Sequence, residues 1–446
     1  MQALTLLQVA EFAGGTTSSS GRVQHVTIDS RTARAGSLFV ALEGERVDGH
    51  RFVPDVLELG GYALVRQGTY SGEGIVEVED PLKGLQKLAK AYLKQFSIPV
   101  IAVTGSNGKT STKDMIAHIL RSKFSVHSTS GNYNNEIGLP LTILGLEEHH
   151  EILVVEMGMR GLGQIRYLTT ICPPNVGVLT NIGPVHLELL GSMGNIAKAK
   201  GELLEALGQE GTAVLNGDDP SVRGQARSFP GKAIYYGLDP TNDVVASGIE
   251  LDVDGRPTFH VQGPDDESDV KLAVAGIHNV WNACAAITVG LEFGLPLDVC
   301  ARALEDLALS AMRLEVQRNP EGAVIVNDAY NASPASVRAA LDTITHMKCE
   351  GERIAILGDM LELGAMSSQA HAEVGAYARE CCDKVVFIGK YSEVMQEGAG
   401  EGEIFSTVEE FIESGFSVGS GDLVLVKASR GLKFERVVEQ LMKGRN

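Results

Sequence analysis

The stretch Thr104-Gly105-Ser106-Asn107-Gly108-Lys109-Thr110 constrains this chain more than any other. It follows a continuous apolar run at 98–103, the pattern of a strand buried on both faces. It precedes a segment at 110–120 in which Met115, Ile116, Ile119 and Leu120 recur at helical spacing. A glycine-rich turn leading from a buried strand into a helix offers backbone N–H groups and the positive end of the helix dipole to a phosphate. Lys109 can then reach terminal phosphates, and the Thr110 hydroxyl suits magnesium. The general form G-x-x-x-x-G-K-T would need glycine at 103, where the chain has Val103, so the shorter T-G-x-x-G-K-T form applies. The bland alternative is a fortuitous glycine turn before a helix.

Around this turn the pattern is α/β throughout. A chain of 446 residues exceeds one core of ordinary size, and its alternation divides into three units, expected at 1–97, 98–312 and 313–446. In the first, apolar runs at 38–41 and 63–65 precede a helical segment at 81–92, giving a small N-terminal α/β domain. The second continues through strands at 152–155 and 176–179 to a small-residue helix at about 279–291, with a polar excursion around 263–269. Its expected form is a P-loop mononucleotide-binding parallel sheet. The third has apolar runs at 323–326, 354–357, 385–388 and 423–426, separated by helical patterns after Pro334, Ser367, Thr407 and Leu432. It reads as a Rossmann-like doubly wound domain.

The net charge of -19 opposes general binding to nucleic acid or to an anionic membrane, yet leaves anionic small molecules open, because a local cluster of N–H groups can hold a phosphate. The six cysteines have neither metal-ligand nor disulfide-framework spacing and read as reduced core residues. The opening Met1-Gln2-Ala3-Leu4-Thr5-Leu6-Leu7-Gln8 lacks a basic lead and no later run is long enough to cross a bilayer, so a cytoplasmic protein without membrane insertion is expected.

Other residues gain meaning from position. Glu156 follows an apolar strand, at the edge where open α/β sheets bind ligands, and could hold magnesium or be an ordinary turn residue. His186, in Thr180-Asn181-Ile182-Gly183-Pro184-Val185-His186, reaches the same edge, either as the ligand of a second metal or as a structural histidine. Lys200 alone reads as a solvated lysine. Asn279 and Asn282, three apart on one helix, could bracket an adenine, or Asn279 could cap the helix. Arg313 and Asp328 open the third unit, either as phosphate and ribose contacts or as a domain-interface ion pair.

Taken in order, these segments resemble the Mur ligase family across nearly the whole chain. The resemblance implies three domains that bind a UDP-muramoyl substrate, ATP and an incoming amine. It implies that residues 104–111, ending in Ser111, hold ATP together with Asn279, Asn282, Arg313 and Asp328. Lys109, His186, Lys200 and Arg313 become catalytic, and Thr110, Glu156, His186 and Lys200 the ligands of two magnesium ions, with Lys200 carbamylated by CO2. Asp29-Ser30-Arg31 and Asp48-Gly49-His50 resemble the family's uridine-binding domain, so Ser30, Arg31, Asp48 and His50, with Asn134 and Asn135, are expected on the UDP substrate. Tyr330, Asn331, Lys427 and Arg430 are expected on the amine.

Gly131-Asn132-Tyr133-Asn134-Asn135-Glu136-Ile137-Gly138-Leu139-Pro140, Ile356-Leu357-Gly358-Asp359-Met360-Leu361-Glu362-Leu363-Gly364 and Val426-Lys427-Ala428-Ser429-Arg430-Gly431 resemble the branch that adds D-alanyl-D-alanine to the UDP-N-acetylmuramoyl tripeptide. The Asp-Asn-Pro-Arg signature of diaminopimelate-adding members is absent. The implied route is an acyl phosphate formed with ATP, on a monomer that closes through hinges near Ser97 and Met312. The rivals are a sibling ligase, a folylpolyglutamate- or cyanophycin-type relative, and a P-loop switch whose partner is a protein.

Overall fold

The computed structural model describes residues 1–44 and 47–443. Near the N-terminus, His25–Thr27, Ser37–Val40, Tyr62–Arg66 and Ile75–Val78 form a four-stranded parallel sheet in chain order. The helix Pro81–Leu93 begins where Asp80 accepts hydrogen bonds from the Leu82 and Lys83 backbone N–H groups, with proline in the first turn. Leu85, Leu88, Ala89 and Tyr92 form its buried face.

That helix joins a core that runs without a break into the next unit, reaching Leu139, Leu153, Ile165 and Leu203. Tyr92 adds a hydrogen bond from its hydroxyl to the Leu146 carbonyl (2.7 Å). The first two units therefore pack as one body around continuous apolar contacts.

The central sheet has nine strands. Val126–Ser128, Ile152–Glu156, Val100–Thr104, Val176–Leu179, Thr212–Asn216, Lys232–Gly237 and Val244–Leu251 lie side by side and parallel. Pro257–Gln262 and Glu267–Lys271 then extend the sheet antiparallel. The polar excursion expected around 263–269 is the turn and second strand of this hairpin, at the end of an otherwise parallel sheet. Pro257–Gln262 alternates buried and exposed side chains, so one covered face suffices, and antiparallel pairing tolerates that. Among the inner strands, Val100–Thr104 is buried throughout. The helix Asn279–Glu292 packs on Lys109–Leu120, and its small residues Ala283, Cys284, Ala285 and Ala286 are all buried in the same core. At Gly290 a β-carbon would lie 2.9 Å from the Ile119 side chain, which shows how close the two helices run.

The third unit carries a six-stranded sheet. Its order is Glu315–Arg318, Val324–Asn327, Leu423–Lys427, Arg353–Gly358, Lys384–Ile388 and Glu403–Phe405, parallel except for the first pair. Separate apolar clusters cover its two faces. No buried apolar cluster among the described residues spans its junction with the central unit, and Met312 (φ 62°) and Leu314 (φ 50°) flank Arg313 in left-handed conformations that non-glycine residues seldom adopt.

Candidate functional site

The phosphate loop occupies the sheet edge where Val100–Thr104 lies between Ile152–Glu156 and Val176–Leu179. Two glycines make its shape possible. Gly105 has φ +154°, and a β-carbon there would sit 1.9 Å from the Thr180 hydroxyl; Gly108, at φ +78°, would meet the Asn282 side-chain oxygen at 2.5 Å. The segment after the neighbouring strand moulds the loop. The Ser106 and Asn107 N–H groups donate to the Asn181 backbone and side-chain oxygens (2.9 and 2.8 Å), and the Ser106 hydroxyl donates to the Gly183 carbonyl (3.0 Å). The Lys109 ammonium folds back onto the Gly105 and Ser106 carbonyls at 2.9 and 3.2 Å, and burial lowers its affinity for a proton. Thr104 donates to the Met157 carbonyl (2.8 Å), and Ser111 is buried in the first turn of the helix.

Beside the loop, Glu156 is 2% exposed. It is the last residue of its strand rather than the one after it. One carboxylate oxygen accepts from the Thr110 hydroxyl (2.7 Å), the other from the Asn134 amide (2.7 Å). Arg313, arriving from the third unit, donates to the same Thr110 oxygen at 2.8 Å. A hydroxyl and a carboxylate thus meet at the end of a phosphate loop, hard oxygen donors suited to magnesium, and the Asn134 amide nitrogen holds the carboxylate in place. Asn134, expected on the UDP substrate, donates to this carboxylate. The Asn135 side-chain oxygen accepts the Ile137 and Gly138 N–H groups (3.2 and 2.9 Å) at the start of the helix Gly138–Ile143.

His186 and Lys200 hydrogen-bond to partners other than Thr110 and Glu156 in this conformation. His186 bonds Glu362 of the third unit through Nδ1. The Lys200 Nζ, 2% exposed as a residue, donates to the Gly105 carbonyl at 2.7 Å, the same oxygen that Lys109 holds. Its burial, and then the neighbouring Lys109, hold its proton affinity well below that of an ordinary lysine. The solvated-lysine reading is thereby corrected.

Asn279 and Asn282 share a face but spend their amides on the protein. Asn282 donates to Asn279 (2.9 Å) and accepts from Thr112 (3.1 Å), while Asn279 donates to the Ala275 carbonyl (2.7 Å) and does not cap the helix. Next to them Trp281, which the sequence reading passed over, donates its indole N–H to Asp218 (2.7 Å). Asp328 forms a buried ion pair with Lys427, which also donates to the Asn331 carbonyl (3.0 Å). The ribose-binding and amine-binding expectations for that pair therefore fall on residues that neutralise each other, an internal ion pair of the third unit. Tyr330 lies under Arg313 (4.3 Å to the ring centre) and farther from Arg430 (6.0 Å), whose guanidinium also lies 3.3 Å from Glu435.

These groups line one cleft of about 1610 Å³ between the units. It takes in the phosphate loop, Glu156, His186, Lys200, Asn279, Asn282, Arg313, Asp328, Tyr330 and Arg430, with Asp80, Lys83 and Gln86 from the N-terminal unit. Ser30, Arg31, Asp48 and His50 are not among the residues lining it. Arg31 is held by Asp29 (2.7 Å), and His50 uses both ring nitrogens, one on Asp48 (2.7 Å) and one accepting the Arg66 N–H (3.1 Å). Asn181 and Glu362 were not separable from the sequence because each works through a contact distant in sequence, with Ser106 and Asn107 and with His186.

Fold and cleft together define a phosphate-loop nucleotide enzyme with three α/β units around one site. Profiles described as the Mur ligase family catalytic domain, the Mur ligase middle domain and the Mur ligase glutamate ligase domain match residues 22–92, 103–290 and 312–430. The UDP-N-acetylmuramoyl-tripeptide–D-alanyl-D-alanine ligase of Bacillus subtilis is 37% identical over 98% of both chains. MurF from Acinetobacter baumannii superposes with a TM-score of 0.90 at 30% identity over 99% of each chain. MurF from Thermotoga maritima, solved in complex with ADP, gives 0.83 at 32% identity over 94% of this chain and 97% of that one. The chain belongs to the Mur ligase family, ATP-dependent enzymes that form carbon–nitrogen bonds.

Proposed function

We propose that this protein joins D-alanyl-D-alanine to UDP-N-acetylmuramoyl tripeptide at the expense of ATP, giving the UDP-pentapeptide precursor of peptidoglycan. The observation that carries the reading is a single cleft lined by all three units with a phosphate loop at its centre, in a chain similar end to end to ligases of that name. No helix among the described residues is long and apolar enough to cross a membrane; we further propose a monomeric, cytoplasmic enzyme.

The tripeptide's terminal carboxylate is a poor electrophile until the γ-phosphoryl group of ATP is transferred to it, releasing ADP. The dipeptide amine attacks the resulting acyl phosphate, a proton is lost from nitrogen, and the tetrahedral intermediate expels phosphate to leave the amide. Such transfer needs alignment and charge neutralisation more than a nucleophilic side chain. Lys109 exchanges its two carbonyl partners for terminal phosphate oxygens, and Arg313, poised on Thr110, neutralises charge on the transferring group. Thr110 and Glu156 would hold magnesium, which supplies further neutralisation when bound; His186 and Lys200 are assigned to its second position. A carbamate on Lys200 is a finer proposal: a buried lysine of low proton affinity keeps the neutral amine that reacts with CO2, and Lys200→Ala rescued by formate or acetate would support it. Asn279, Asn282 and Asp328 serve ATP, the N-terminal unit with Ser30, Arg31, Asp48 and His50 serves the UDP substrate, and Tyr330, Asn331, Lys427 and Arg430 serve the amine. Closure is expected at the junction near Met312, which no buried apolar cluster among the described residues spans, because the junction near Ser97 is spanned by a continuous core.

The test is phosphate release from ATP and magnesium with UDP-muramoyl tripeptide, comparing D-alanyl-D-alanine with single amino acids. Release and a UDP-pentapeptide product with the dipeptide alone support the reading. Turnover with a single amino acid moves the chain to a sibling activity, and hydrolysis that needs no amine points to a nucleotide switch.

A further inference from the structure

Glu362 lies on the segment that follows the strand Arg353–Gly358, and it reaches out of the third unit into the central one. Its two carboxylate oxygens serve different partners there: one bonds His186 Nδ1, and the other lies 3.5 Å from the Arg160 guanidinium nitrogen. Both members of the histidine–carboxylate pair are in left-handed backbone conformations, His186 at φ 55° and Glu362 at φ 64°. Such conformations persist where surrounding structure over-determines them, and they concentrate at functional sites.

Here the over-determination is visible. The Met360 N–H is fixed by His371 (2.9 Å), the Leu361 N–H by the Ser429 hydroxyl (3.0 Å), and a β-carbon on Gly364 would come within 3.0 Å of the Glu188 backbone. The segment is thus anchored within its own unit and pressed against the turn that carries His186. Imidazoles that bind a metal through one nitrogen commonly have the other fixed by a carboxylate, which sets tautomer and ring orientation. His186 has that carboxylate, and it comes from another unit.

We propose that Glu362 is a positioning residue for the metal end of the site: across the domain junction it holds the Nδ1–H tautomer of His186, so that Nε2 becomes a cation ligand only when the third unit is docked. This rests on the assignment of His186 to magnesium made above. It makes cation affinity a consequence of domain position, so that the phosphate-neutralising charge is completed in the docked arrangement.

Two measurements on the full chain test it. Nitrogen-15 chemical shifts of His186 in the metal-free protein read the tautomer directly, and a wild-type ring protonated on Nε2 would overturn the proposal without any variant. Manganese titration in the presence of ADP, followed by electron paramagnetic resonance, reads the cation site. Glu362→Ala is expected to weaken manganese about 10- to 100-fold and to release the tautomer preference, whereas Glu362→Gln, which keeps an acceptor for Nδ1–H, retains most of both. Equal manganese affinity in wild type and Glu362→Ala defeats the role of Glu362 while leaving the magnesium assignment standing. Absence of nucleotide-dependent manganese binding in the wild type defeats the magnesium assignment itself.

Discussion

Arg313 donates a 2.8 Å hydrogen bond to the Thr110 hydroxyl, joining the first residue of the third unit to the first turn of the phosphate-loop helix. The guanidinium is also stacked 4.3 Å over Tyr330. One more bond ties the same pair of units: the Ser333 hydroxyl donates to the Asn107 side chain (3.0 Å). The junction therefore reports on the state of the phosphate loop directly.

Arg313→Lys is expected to be a severe change despite the kept charge. A lysine ammonium cannot both stack on Tyr330 and present a planar fork of donors. Loss of a preorganised donor at developing charge typically lowers turnover about 100- to 1000-fold, so kcat should fall in that range while the KM for ATP moves far less. A kcat within about fivefold of wild type would remove Arg313 from the transition state.

Gly108→Ala probes the loop's shape. The position has φ +78° and would place a methyl group 2.5 Å from the Asn282 oxygen. Strain of this kind amounts to about 1–3 kcal/mol, and relieving it displaces the loop that should hold phosphate. ADP affinity measured by calorimetry should drop at least about tenfold with the fold intact by circular dichroism; an unchanged affinity would mean that the loop does not hold the nucleotide.

The phosphate loop was legible in the text because every part of it is local: strand, glycine turn and helix follow one another within residues 100–120. The regular alternation of the third unit was legible for the same reason. What stayed hidden depends on contacts between distant segments. The strand Glu315–Arg318 has no apolar run of its own and exists because Val324–Asn327 pairs with it. The spacing of Asn279 and Asn282 correctly put both on one face, but spacing cannot say that Thr112 and the Ala275 carbonyl already occupy their amides. Spacing likewise cannot say that Asp328 and Lys427, ninety-nine residues apart and expected on different ligands, also pair with each other.

That pair supplies a stability test. Lys427 has a side chain only 3% exposed against 14% for Asp328, so removing the lysine alone leaves a carboxylate largely cut off from water. Breaking a buried pair from one side costs about 3–5 kcal/mol. Lys427→Met should therefore lower the unfolding temperature by several degrees, and adding Asp328→Asn should recover part of the loss. If the double variant is no more stable than Lys427→Met, the two residues are not energetically coupled.

His371 supplies the pH dependence. Its ring is fully buried, Nε2 accepts the Met360 N–H (2.9 Å), Nδ1 donates to the Ser367 carbonyl (2.6 Å), and Tyr391 stacks on it at 4.3 Å. Burial is the chief cause that lowers its pKa below the ordinary 6.5. A base with a depressed folded-state pKa stays neutral in the native protein while the unfolded chain takes up a proton, so stability is complete above about 6.5 and declines as the pH falls from there toward the folded pKa. Protonation would also remove the acceptor that holds Met360, two residues from Glu362. His371→Gln, which cannot titrate, should show a smaller drop in unfolding temperature between about pH 7.5 and pH 5.5 than the wild type. Parallel losses in the two proteins would assign the acid sensitivity to other groups.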